Sequence, residues 1–206
     1  MARTVDPERH RARRLQILDA AVTCFARHGY DRTTTARIAR TAGIGSGTLF
    51  HYFPTKQAIL VAVLEEDTRE LTEFFAGRGS GDAWEGLLAF VDRTVAEAAD
   101  ARVPGFVNAV MVQAAQPELA SALADNDRVV RTGLRGLVER AQRDGPVRTD
   151  RSADQLASWL VLLTDGFYSR VATEDGFDPT REGGLLRETV EHLVSGPAGQ
   201  PAPLPP

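Results

Sequence analysis

Residues 43–56 read "GIGSGTLFHYFPTK". Three glycines open a tight turn, and a short helix follows over 46–52. Leu49 and Phe53 fall one helical turn apart, so that helix has one buried side. Pro54 stops it, because proline disfavours helix in the residue before it. Ser46, Gly47 and Thr48 stand at its start, small or polar, where a recognition helix sets side chains against base edges. Gly47 lets a backbone come close. Thr48 suits a phosphate or a thymine methyl, and His51 and Tyr52 can donate to phosphate oxygens.

Working outward, Thr34 caps a preceding short helix, "TARIARTA", with Ile38, Ala39 and Ala42 inward and Gly43 as its stop. Before it, Asp6-Pro7 starts a longer helix, in which Leu15, Leu18, Val22 and Phe25 recur at three- and four-residue spacing to about His28. Gly29 ends that helix. Two short helices joined by a glycine turn, after a longer one, form the helix-turn-helix arrangement.

Charge supports the same division. Residues 1–56 carry ten basic and four acidic side chains, a net +6, while the remainder carries 14 and 24, a net −10. A basic first quarter on an acidic body suits a polyanion at one end only, although a solvated basic face gives the same count. Of the 24 basic residues, 23 are arginine, and Lys56 is the single lysine. It falls in the first turn of the next helix, where free N–H groups already attract anions. The expectation is a phosphate clamp: a compact charge where a planar guanidinium does not fit.

Downstream the pattern stays helical to residue 195. A helix over 56–76 is followed by the break "GRGSGD". Trp84, Leu87, Leu88, Val91 and Val95 mark the next helix, which Pro104-Gly105 breaks. Further helices cover 106–115, a long stretch from Pro117, 153–173, and a last one from about Arg181. The reading is an all-α fold of about nine helices. It comprises a flexible arm (1–8), a helix-turn-helix head (9–55), a helical body (56–195) and a disordered Pro-rich tail (196–206).

Several functions are excluded. One cysteine, Cys24, forms no internal disulfide and no Cys-based zinc site, and the four histidines lack metal-ligand spacing. No nucleophile–base pair or phosphate-cradling glycine loop supports an enzyme, and no cofactor is expected. The apolar runs are too short to cross a bilayer, and no signal peptide precedes the fold, so the expected compartment is cytoplasmic.

The stretch "RLQILDAAVTCFARHGYDRTTTARIARTAGIGSGTLFHYFPTKQAIL" resembles the DNA-binding head of the tetracycline-repressor (TetR) family of bacterial transcriptional regulators. The likeness lies in "ILDAA…F…G", the Thr-rich link, "IA…AG" and "GTLFHYFPTK". It implies contacts to phosphate at Thr34, Thr35, His51, Tyr52 and Lys56, and to bases and backbone at Ser46, Gly47 and Thr48. Gly45 replaces the family's frequent capping Ser, and Phe50 its usual Tyr, so one hydroxyl contact is absent. Arg3, Arg13 and Arg14 are compatible with DNA contact or with solvated surface.

Over the body only the architecture is similar. The resemblance implies a small, largely apolar effector in a pocket between helices. Candidate lining residues are Trp84, Phe106, Val110, Met111, Trp159, Leu163 and Phe167, each also compatible with ordinary core. It implies a homodimer through the last two helices, with Leu160, Phe167, Leu186, Val190 and Leu193 as the interface. The implied function is a ligand-responsive repressor on a palindromic operator, with an activator left open. The alternative is a helical scaffold with a non-functional head.

Overall fold

The computed structural model describes residues 6–79, 81–145 and 147–195; Arg3 and the Pro-rich segment 196–206 lie outside them. The described residues form nine α-helices: α1 Pro7–Arg32, α2 Thr35–Thr41, α3 Ser46–Tyr52, α4 Lys56–Ala76, α5 Ala83–Ala98, α6 Val103–Gln113, α7 Pro117–Asp144, α8 Ala153–Thr173 and α9 Pro179–Ser195. The fold class is all-α, as the periodicity predicts.

Local chemistry sets most boundaries. Asp6 accepts the Glu8 and Arg9 N–H groups and Pro7 takes the first helical position. Asp82 and Ser152 cap α5 and α8 in the same way. Two helices depart from the sequence reading. Gly29 does leave helical geometry (φ 70°, ψ 170°), but the helix resumes as one further turn to Arg32. α6 begins at Val103, so Pro104 and Gly105 lie inside its first turn rather than before it. A first-turn proline costs nothing there, since its missing N–H would have no helical partner.

The chain forms two compact units. The first comprises the chain up to Glu70 together with Asp100–Asn126, so α6 and the start of α7 group with the head. Its core is one cluster in which Ile17, Phe25, Ile38, Leu49, Ile59 and Leu119 are fully enclosed. α6 packs along α1: a Cβ on Gly105 would overlap the Ala26 carbonyl oxygen, so only glycine allows this approach. Arg102, just before α6, reaches the Asp19 carboxylate at 2.6 Å and is forked onto Asp100. Those carboxylates drive the guanidinium's pKa further up.

The second unit comprises Leu71–Ala99 and the chain from Asp127 onward. α5, α8 and α9 pack on one another, around Leu87, Leu137, Leu156, Leu160 and Val190. Glycines set the spacing. A Cβ on Gly86 would come within 2.7 Å of Leu137, one on Gly183 within 2.5 Å of Val95, and one on Gly133 would run into the Phe75 ring.

Candidate nucleic-acid interface

α2 ends in a turn that only glycine makes without strain. Gly43 has φ +64°, its N–H donates to the Arg40 carbonyl, and the Ile44 N–H donates to that of Ala39. These two bonds are a Schellman closure. α3 then starts on Gly45, which supplies no side-chain cap. Only Leu49 of α3 is buried; Ser46, Gly47, Thr48, Phe50 and His51 are exposed. A Cβ on Gly47 would meet nothing of this chain within 4 Å. Phe50 is 51% exposed, a large apolar ring on the outer face.

Tyr52 is half-buried and stacked on His10 of α1, ring centres 4.5 Å apart. Thr34 is exposed; its hydroxyl oxygen accepts the Arg37 N–H and caps α2, leaving the hydroxyl hydrogen free to donate. Thr35 is half-buried in the first turn. Arg13 bonds Gln16, whose side-chain amide in turn donates to the Ala42 carbonyl at 2.7 Å. Arg14 is engaged by Glu66 at 2.9 Å and lies over the Phe53 ring.

Positive charge gathers around His28, near the end of α1. His28 is pushed below its usual pKa by partial burial and then by the guanidinium groups of Arg37, Arg27 and Arg32. Arg27, Arg37 and Arg40 form no ion pair among the described residues.

Lys56 is not the free charge expected at a phosphate. Its ammonium donates to the carbonyls of Tyr30 at 2.7 Å and Thr33 at 3.0 Å, and lies 4.0 Å from the centre of the Tyr30 ring. Beside it the buried Thr33 hydroxyl is 2.7 Å from the Gly29 carbonyl oxygen and 3.0 Å from that of Cys24. The ammonium thus satisfies two carbonyls at the α1 terminus, and the single hydroxyl hydrogen of Thr33 is shared between two more. Nothing in the local sequence signals this, because the lysine and its acceptors are 26 and 23 residues apart.

Comparison with known proteins identifies the family. Residues 17–63 match the family described as bacterial regulatory proteins of the tetR family, and residues 83–195 match the C-terminal domain of BetI-type transcriptional repressors. The chain belongs to the TetR family. It is similar to the HTH-type transcriptional repressor Rv1474c of Mycobacterium tuberculosis, 30% identical over 89% of this chain and 93% of that one. The repressor AcnR of Corynebacterium diphtheriae is 29% identical over 78% of this chain and 82% of its own. Among solved structures, Salmonella enterica GusR superposes with a TM-score of 0.67 at 26% identity, covering 90% of this chain and 96% of that one. As a TetR-family member the protein is a DNA-binding transcriptional regulator and not an enzyme. No helix among its described residues is long and apolar enough to cross a membrane.

Of the two sets of sequence-predicted residues in this TetR-family body, the dimer set needs correction and the pocket set is spread over core and surface. Of the proposed dimer residues, Leu160, Phe167, Leu186 and Val190 are 0–8% exposed within a single protomer, and only Leu193 is half-buried. Side chains already sealed in the protomer core have no surface to offer a second copy. The apolar residues that α8 and α9 turn outward are Trp159 (56%), Leu162 (58%) and Leu185 (61%). Of the proposed pocket residues, Val110 and Phe167 are core, Phe167 edge-on against Phe177, while Met111 (64%) and Trp159 are open to solvent. Trp84, Phe106 and Leu163 are half-buried. The first unit contains a cleft of about 200 Å³ outside this set, lined by Glu65, Thr68, Glu118, Ser121, Ala122 and Asp125.

Proposed function

We propose that this TetR-family protein is a cytoplasmic repressor that binds a palindromic operator as a homodimer and leaves it when a small, largely apolar effector binds. The observation that carries the reading is α3: one buried leucine beneath an outward edge of Ser46, Gly47 and Thr48, with Arg37 and Arg40 on the preceding helix. Ser46, Gly47 and Thr48 meet base edges and backbone, and Thr34, Thr35, His51 and Tyr52 meet phosphates. The names of the relatives support repression rather than activation.

The dimer forms through the outward face of α8 and α9. Trp159, Leu162 and Leu185 offer the self-complementary apolar patch that a two-fold interface requires. Trp84 and Leu163 are the remaining lining candidates for the effector in the second unit. A ligand that favours wrongly spaced heads weakens operator binding by the same coupling.

The test is selection of bound duplexes from a random pool and from DNA upstream of the protein's own gene, followed by footprinting. The expected result is a two-fold symmetric site with half-sites about 34–36 Å apart, one helical turn. Thr48→Ala is expected to weaken that site relative to bulk DNA. Binding that is uniform over all sequences and abolished by salt would sink the proposal and favour a helical scaffold with a non-functional head.

A further inference from the structure

Lys56 opens α4, and a cation in the first turn of a helix is unfavourable for that helix. Its two acceptors belong to the end of α1, where the macrodipole is negative and the same charge is favourable. The Tyr30 ring beneath the ammonium is itself stacked on Phe25, which is fully buried in the core of the first unit. A guanidinium delivers its donors in one plane, whereas an ammonium on a flexible stem turns three donors toward two carbonyls and a ring face. Partial burial lowers the amine's pKa, and the Asp31 carboxylate opposes that shift. Thr33, held through both its carbonyl and its hydroxyl, is followed directly by Thr34, the cap from which α2, the Gly43 turn and α3 extend.

We propose that Lys56 is a positioning residue for operator recognition. By tying the Tyr30 and Thr33 carbonyls it fixes the α1–α2 junction, and with it the angle at which α3 meets base edges. Its charge serves that junction and not a phosphate. This rests on the operator reading above and adds a specificity determinant that does not touch DNA.

The geometry separates three roles. A phosphate contact lowers affinity equally on every sequence and reduces the salt slope by about 1 per head when removed. A merely stabilising contact lowers the unfolding temperature and leaves the bound state alone. A positioning contact lowers operator affinity selectively, because base contacts need α3 in register and phosphate contacts tolerate a tilt.

The experiment compares wild type with Lys56→Met, which keeps the stem and removes the donors, and Tyr30→Leu, which keeps the lysine and removes the ring beneath it. Dissociation constants for the selected operator and for an unrelated duplex are measured across a salt series, well below the unfolding temperature. Hydrogen exchange over residues 30–37 is followed in parallel. The expected result for Lys56→Met is a specific-to-nonspecific ratio reduced about tenfold, on the order of one lost base contact, with an unchanged salt slope and faster exchange. Tyr30→Leu moves the ratio in the same direction, and keeps the test decisive where Lys56→Met does not fold. A smaller slope with an unchanged ratio overturns the proposal in favour of a phosphate contact. An unchanged ratio and slope with only a lower unfolding temperature overturns it in favour of simple stabilisation. A wild type with no preferred sequence overturns the operator reading as well, so the two failures are distinct.

Discussion

The two units of this protein both join helices by polar bonds and differ in how many glycine seats they add. In the first, junctions are made by directional polar bonds. Lys56 and Thr33 close the α1 terminus, Gln16 bonds the end of α2, Arg102 bridges to Asp19, and Glu66 gathers Arg14 and Arg69. In the second, Arg187 on Asp92 and Tyr168 on Glu97 make such bonds too, and glycines also seat neighbouring side chains: Gly86 under Leu137, Gly133 under Phe75, Gly183 under Val95. Directional bonds fix an angle, and losing one lets an element tilt while its core stays packed. A close-packed seat fixes a distance, and filling it costs stability before anything tilts. A unit that presents a short helix to a partner gains from the first device.

The largest effect expected lies on the surface of the second unit. Trp159→Glu places a charge twice in the proposed two-fold face, with a loss of roughly 4 kcal/mol or more of dimer stability, a hot-spot value counted once per copy. Sedimentation at micromolar concentration should show a monomer; an unchanged mass would move the interface elsewhere. Next comes Gly105→Ala, the one glycine seat described in the first unit, where a methyl group collides with the Ala26 backbone. A loss of about 3 kcal/mol in denaturant unfolding is expected, at the upper end of overpacking costs. A neutral result would break the comparison, since it would show the first unit adjusting as easily by distance as by angle.

Thr33→Val keeps the shape and removes the buried hydroxyl, and with it the one hydrogen that the Gly29 and Cys24 carbonyls share. Roughly 1–3 kcal/mol should be lost, read as a lower unfolding midpoint. The smallest effect concerns pH. Glu66 is held below the ordinary carboxylate range by its hydrogen bond from Arg69, then by the charges of Arg69, Arg14 and Arg11, against a desolvation that raises it. A depressed carboxylate pKa gives stability that is present above the unfolded-state value and is lost as pH falls through the folded-state value. Wild-type stability should therefore drop more steeply than that of Glu66→Gln in the acid range below the usual glutamate pKa. Parallel acid profiles of the two proteins would remove Glu66 from the account.

The sequence carried the head because its signals are local. Gly43, Thr34 and Pro54 each dictate a backbone event within a few residues, and α2, α3 and α4 begin and end where those residues say. The body resisted for a geometric reason. α8 is apolar on nearly every side, and periodicity does not say which of two apolar stripes faces inward. Leu160 and Phe167 point in, Trp159 and Leu162 point out, and neighbouring positions differ by only about 100° of helical rotation. An exposed tryptophan is the signal that a wheel drawn from hydrophobicity alone inverts. Lys56 resisted for another reason: its acceptors are backbone carbonyls, which leave no mark on residue identity.

The lone lysine also gives the molecule a built-in chemical reporter. Acylating reagents attack neutral side-chain amines, and this sequence offers only the one, guarded by the Tyr30 and Thr33 carbonyls. How fast residue 56 acquires an acetyl group therefore reports how often the guard opens, read from the mass of the peptide that carries it, apart from the chain's α-amine. The same reaction removes the charge for good, so each labelled molecule is one whose junction had opened and can no longer close on that ammonium.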